Sequence, residues 1–190
     1  IRKKLISVGA VNFKINNVLL NLKKKNADYQ FITSSENNAW LLNFRGGDSN
    51  YAPLPYCYVL INKKKDIIFF SDPKKVTKKF KKKFKKIKFL DIKFAKICIS
   101  KIKDKKFIID NDTCSIFFQN LISKNNKILN FKDPIYFLKS IKTKIELGNI
   151  KKAHVFDGAA LTKYIFWIKR NFNKTKITEI SASEKLLNLR

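Results

Sequence analysis

Apolar side chains recur along this chain in two rhythms, and the rhythm changes at Pro134. Before it, helical and strand periods alternate. Phe13, Val18, Leu19 and Leu22 sit at helical spacing between Val11 and Lys25, opposite a lysine-rich face. Tyr29-Gln30-Phe31-Ile32-Thr33 reads as a short strand. Ser34-Ser35-Glu36 then offers an N-cap for Asn38-Ala39-Trp40-Leu41-Leu42. Arg45-Gly46-Gly47-Asp48, with Pro53 and Pro55, marks a loop. Residues 56–61 and 67–71 are β-rich, and Asn62-Lys63-Lys64-Lys65-Asp66 joins them as a hairpin. Asp72-Pro73, with proline in the first turn, predicts a helix through Val76, Phe80, Phe84 and Ile87. A strand over 88–92, a helix over 94–102 and a strand over 107–110 follow. Asp112-Thr113 caps a predicted helix over 114–123, and 128–131 is a closing strand. Such alternation predicts an α/β fold, a mixed sheet flanked by helices.

After Pro134 the pattern is helical throughout to Phe172. Ala153, Phe156, Ala160, Tyr164 and Trp167, at gaps of three and four, share one face. Gly148 is an interior cost or a kink. Thr178 caps a further helix, with Ser181 three residues on. Two long helices without strands need a partner layer, which is expected beyond Arg190. The chain begins at Ile1 and contains no methionine, so it reads as a segment of a larger protein.

Composition adjusts this picture in one respect. A hydrophobic content of 45%, with 17 Phe, is enough to build a core, so disorder is excluded despite a formal charge of +28. Only Arg2, Arg45, Arg170 and Arg190 are arginines among 42 basic residues. Phosphate and base recognition favours the bidentate guanidinium. The Lys, Asn, Ile and Phe excess is the set that AT-rich codons encode, so no specific nucleic-acid partner is expected. Lysines around residues 76–87 are read as a solvated helix face. Cys57, Cys98 and Cys114 are odd in number and widely spaced, which fits a reducing compartment. No apolar run reaches the ~18 residues a membrane span needs. A cytoplasmic location is expected.

Chemistry is sparse. His154 is the only histidine, beside an apolar helix face, and is read as a packing residue. Asp110 and Asp112 are read as turn and cap residues rather than metal ligands. Arg45 is the only arginine between positions 3 and 169, which suggests a geometric need. Two readings stand open: a bidentate carboxylate partner, or an Arg45–Asp48 pair bracing the loop.

Two stretches carry a family resemblance. Ala39-Trp40-Leu41-Leu42-Asn43-Phe44-Arg45-Gly46-Gly47-Asp48, followed by Asn50-Tyr51-Ala52-Pro53-Leu54, resembles a segment of the Xaa-Pro aminopeptidases (aminopeptidase P). So do Ile141-Lys142, Glu146, Lys152-Ala153-His154, Asp157-Gly158-Ala159-Ala160-Leu161, Trp167 and Ile177-Thr178-Glu179-Ile180-Ser181-Ala182. Gly47 departs from the family's usual Ser.

The resemblance implies residues 1–11 as a lead-in from a preceding domain and 12–133 as a creatinase-N-terminal-like α/β domain. Residues 134–190 would be the first helices of a pita-bread α+β catalytic domain. It implies a cytosolic metallopeptidase that releases an N-terminal residue linked to proline. Two divalent metals, typically manganese, are held there by two Asp, one His and two Glu in two-metal hydrolysis. None of those motifs occurs in this chain, so no catalytic or metal residue is assigned within it, His154 included. The chain is expected to be inactive alone. Its implied partners are peptides with proline second, the rest of the catalytic domain and a second subunit in a homodimer, with no membrane. Arg45 and Asp48 are the candidate residues at a domain interface or substrate-pocket rim. Against this stand a degenerate non-catalytic remnant, a creatinase-like hydrolase, and a basic binding module for nucleic acid or acidic partners.

Overall fold

A computed structural model describes residues 11–190, which fall into two compact units, residues 11–141 and 142–190. The first contains α1 (Val11–Lys24), β1 (Tyr29–Ile32), α2 (Ser35–Leu41), β2 (Cys57–Asn62), β3 (Ile67–Ser71) and α3 (Lys78–Lys83). It continues with β4 (Ile87–Leu90), a 3-10 turn at Ile92–Phe94, α4 (Ala95–Ser100) and β5 (Lys106–Ile109). It closes with α5 (Ile116–Ser123), β6 (Lys127–Asn130) and α6 (Pro134–Ser140). The second unit is α7 (Lys144–Asn171) and α8 (Glu179–Leu189). Residues 1–10 of the expected lead-in lie outside the described residues.

Six strands form one mixed sheet in the order β4-β3-β2-β1-β5-β6. Only β2 runs against the others: it is antiparallel to both β1 and β3, and every other pairing is parallel. The period-two alternation of a strand divides the core between the two faces. Ile32, Val59, Ile61, Phe69 and Ile108 point to one face, beneath Val18 and Leu22 of α1, Leu41 of α2 and Ile135 of α6. Phe31, Leu60, Phe70, Phe107 and Ile109 point to the other, beneath Ala95 and Ile99 of α4 and Phe118 and Ile122 of α5. Phe70 and Phe107 are fully buried. Each contributes about 1.5–3 kcal/mol through the apolar surface it removes from water.

Several local expectations are corrected. Phe13 is 63% exposed, and Ile15 and Lys14 take the buried face of α1 instead. Asp72-Pro73 forms a turn, not a helix start. The Asp72 carboxylate accepts from the Lys74 amide at 2.9 Å and its carbonyl from Lys75 at 3.1 Å, which closes a turn. The helix begins only after Thr77, whose hydroxyl caps Phe80 N at 3.2 Å, and Ile87 belongs to β4. Asp112-Thr113 does not cap α5. The backbone of Thr113 and Cys114 turns back onto the Asp110 carbonyl, so α5 starts after Ser115. The helical run predicted from 135 to 172 is broken at 141–143. There a Thr143/Glu146 capping box starts α7 afresh. Thr178 and Ser181 form the capping box of α8.

On α7, Ala160 is buried and Tyr164 and Trp167 are half-buried, stacked at 6.2 Å. Ala153 and Phe156, on the same face, are exposed, Phe156 by 78%. Arg190, at the end of α8, donates to Asp157 Oδ1 at 2.7 Å.

At the carboxyl ends of β1, β5 and β6 lies a buried polar knot. Asp133 caps α6, its Oδ1 accepting from Ile135 N at 3.1 Å and from Gln30 Nε2 at 3.1 Å. Its Oδ2 accepts from Asn37 Nδ2 at 2.7 Å, and its own amide donates to Asp110 Oδ2 at 2.9 Å. Asn37 in turn accepts from Lys139 Nζ at 2.7 Å. Burial pushes the Asp133 carboxyl above its ordinary value, and the neighbouring Asp110 charge adds to this.

Candidate functional site

The loop after α2 carries the two residues singled out from the sequence, and its shape follows from a few contacts. Asn43 takes the left-handed conformation, φ 52°, and lets the chain leave α2 sharply. Phe44 then drops into an aromatic cluster, 5.4 Å from Phe69 and 5.2 Å from Phe80 between ring centres. The next turn is held by Gly46 N donating to Pro53 O at 3.1 Å and Asp48 N to Leu54 O at 3.1 Å. Gly46 is required for close approach: a Cβ there would lie 2.6 Å from Pro55 Cα. Gly47 faces open space, so its departure from Ser has no steric consequence.

Arg45 and Asp48 are brought onto one loop but do not pair. Arg45 Nη1 donates to the carbonyls of Phe44 at 2.8 Å and Ala39 at 3.4 Å. It makes no ion pair among the described residues, and partial desolvation lowers its pKa. Asp48 is engaged elsewhere. Its Oδ2 accepts from Tyr56 N at 2.7 Å and its Oδ1 from Lys75 Nζ at 2.5 Å. The Lys75 bond, then the Tyr56 amide, hold its carboxyl below the usual range. Of the two open readings, the Arg45–Asp48 brace is not formed: Asp48 pairs with Lys75, 27 residues further along. Beside it, Tyr56 and Tyr58 join their hydroxyls at 2.7 Å. Desolvation first, then the bond to Tyr56, raises the Tyr58 pKa.

The other sequence candidates are scattered. Asp110 serves the polar knot, with Oδ1 accepting from Asp112 N at 3.1 Å, while Asp112 is exposed. His154 is exposed rather than packed, on the wall of an open cavity of about 850 Å³ with Ile150, Phe156, Asp157 and Arg190. Burial pushes the Cys57 thiol up to about 12 and the Cys114 thiol up to about 11, which makes both poor nucleophiles. No three His, Cys, Asp or Glu side chains among the described residues converge to hold a metal ion. The metal pair that the resemblance implies therefore does not fit any group in this part of the chain. Among the described residues no helix is long and apolar enough to cross a membrane.

Lys14 is the residue that sequence reasoning missed. It is 1% exposed, donates to Trp40 O at 2.7 Å and to Asn43 Oδ1, and lies 4.0 Å from the Trp40 ring centre. It thereby ties α1 to the start of the Arg45 loop. Its spacing of four before Val18 and eight before Leu22 was the available signal.

Comparisons with known proteins bear on this arrangement. The model of the Creatinase/Prolidase N-terminal domain matches residues 6–146. A Xaa-Pro aminopeptidase of Drosophila melanogaster is 32% identical over 177 residues, covering 89% of this chain and 28% of that protein. Xaa-Pro aminopeptidase 1 of Dictyostelium discoideum is 30% identical over 182 residues, covering 92% and 28%. The chain thus spans little more than a quarter of the length of these curated relatives. Among solved structures, an X-prolyl aminopeptidase from Caenorhabditis elegans, described as a cytosolic enzyme with a di-nuclear active site, superposes with a TM-score of 0.79. It is 23% identical and covers 96% of this chain and 31% of its own. A Xaa-Pro dipeptidase from Bacillus anthracis gives 0.67 at 19% identity, covering 95% and 48%. These last two likenesses concern the fold.

Proposed function

The chain belongs to the creatinase/prolidase N-terminal domain family, and from that premise we propose that it forms the non-catalytic α/β part of a Xaa-Pro aminopeptidase. Residues 12–133 would be the middle domain and 134–190 the opening helices of the catalytic domain. The observation that carries this reading is the 32% identity that runs through the sheet unit and on across α7, over 89% of the chain. The parent enzyme would release an N-terminal residue linked to proline, using two divalent ions, typically manganese. Those ions would be held by residues outside this chain, so no step of the hydrolysis is assigned to it. A cytoplasmic, homodimeric enzyme completes the proposal.

Within that assembly Arg45 and Asp48 divide the work. Asp48 braces the loop through Tyr56 N and Lys75. Arg45 keeps a guanidinium at the surface with carbonyls on one nitrogen and no counter-ion among the described residues. It is suited to a carboxylate on a neighbouring domain or at the rim of the substrate pocket.

The test is a peptidase assay with Xaa-Pro peptides and added manganese. This chain alone is expected to release no amino acid, and the full-length enzyme to do so. Arg45→Ala in the full-length enzyme is expected to lower kcat/KM roughly tenfold, the loss of one charge-assisted contact, with an unchanged Tm. Turnover by the isolated chain overturns the non-catalytic reading. Unchanged kinetics and stability in Arg45→Ala remove the rim role.

A further inference from the structure

Charge is not spread evenly over this protein. Ten lysines fall between positions 74 and 88, and no acidic residue lies between Asp72 and Asp91. From the sequence these lysines read as the solvated face of an amphipathic helix. The structure arranges them differently, because α3 is only six residues long and none of them is buried. The chain then turns directly into β4, and that turn forms one wall of an open cavity of about 620 Å³. Ile15 of α1, Ile67 of β3, Phe84 and Ile87 give the cavity an apolar floor. Lys65, Lys82, Lys83, Lys85 and Lys86 stand round its edge, with Asn12 at the mouth. None of these five lysines forms an ion pair among the described residues.

We infer that this cavity is a docking site for an acidic protein segment that seats one or two apolar side chains on the Ile15–Ile67–Ile87 floor. Two features select that ligand. These ammonium groups, Lys65 donating to Asn16 Oδ1 at 3.2 Å and none with a counter-ion among the described residues, supply a field that concentrates anions and suits carboxylates as point-charge partners. The floor is aliphatic apart from Phe84, which is 9% exposed, so it offers no stacking platform of the kind single-stranded nucleic acid uses. A second copy docking through this same face would set its own ten lysines of positions 74–88 against these, and like charge opposes that.

The test is fluorescence anisotropy with a labelled peptide of repeating Glu-Glu-Leu, beside poly-glutamate, a single-stranded oligonucleotide and anionic lipid vesicles. The Leu-containing peptide is expected to bind most tightly and to weaken as salt rises. Lys82→Glu/Lys85→Glu/Lys86→Glu should weaken it roughly tenfold or more. The same change of net charge placed on the other unit, Lys142→Glu/Lys144→Glu/Lys151→Glu, should leave it within about twofold. Asn12→Trp blocks the mouth without changing charge and should weaken the Leu-containing peptide but not poly-glutamate. All substituted positions are exposed, and unchanged circular dichroism confirms that each variant folds. Equal weakening by the two triple variants would reduce the effect to bulk charge and overturn the proposal. So would oligonucleotide or vesicle binding that matches the peptide and responds alike.

Discussion

In residues 11–141 a sheet is covered on both faces, and nearly every buried apolar side chain of the described chain lies there. Across 142–190 only Ala160 is a buried apolar residue, while Val155, Phe156, Phe166, Phe172 and Ile180 are each at least 60% exposed. Both regions have good helical caps, so capping does not distinguish them. The difference is tertiary. A helix pair has one seam, and a helix with an apolar stripe wider than that seam needs a further layer. The sheet unit buries both faces of its sheet among the described residues, whereas α7 leaves a large apolar surface in contact with water.

The comparison can be broken most directly by amide exchange. Protection across β1, β2 and β5 is expected to exceed that across Ala153 to Trp167 by at least roughly a hundredfold, since local opening of α7 exposes little that is buried. Equal protection in this chain alone would sink it. Truncation gives the next contrast. Phe70→Ala, in the fully buried face under α4 and α5, should cost about 3–5 kcal/mol in urea unfolding. Phe156→Ala should stay within about 0.5 kcal/mol. A large penalty at Phe156 would show that its ring is covered.

Asp133 sharpens the account of the sheet unit. Asp133→Ala orphans donors from Gln30, Asn37 and Ile135 and should cost about 2–3 kcal/mol. Because burial raises its pKa, the folded state holds this proton more tightly than the unfolded chain does. Its contribution is therefore complete below the ordinary carboxylate range and declines as pH rises through the elevated folded value. Asp48 has the opposite sign: its contribution is present above the ordinary range and lost as pH falls through its depressed value. Urea midpoints against pH for the parent, Asp133→Asn and Asp48→Asn would separate the two, and a flat parent-minus-variant difference would refute both. The smallest effect lies in the Arg45 loop. Gly46→Ala should cost about 1–3 kcal/mol by forcing Pro55 away, with Gly47→Ser within about 0.5 kcal/mol. Similar thermal shifts for the two would refute the close packing of Gly46 on Pro55.

Much of the fold was legible because its signals are local. The β2–β3 hairpin, the Ser34 cap and the Thr178–Ser181 box each rest on residues a few positions apart. So did the family resemblance, whose motifs are contiguous. Asp72-Pro73 misled because the Asp72 side chain closed its own turn before proline could start a helix. The site was less legible. Arg45 and Asp48 are three apart, which invited a pair, yet the partner of Asp48 arrives from residue 75. Lys14 is buried by groups 26 and 29 residues away, which no window along the chain contains.

The polar knot has a consequence for what the sheet unit can do. The helix after β1 lies on one face of the sheet, with Leu41 in its core, and the helix after β5 lies on the other, with Phe118 in its core. The gap beyond the carboxyl ends of these adjacent parallel strands is a topological switch point, where open α/β sheets admit their ligands. In this protein the crevice is stoppered by its own chain, with Asp133 as the plug and Gln30, Asn37 and Asp110 as the socket. A small molecule finds that berth taken.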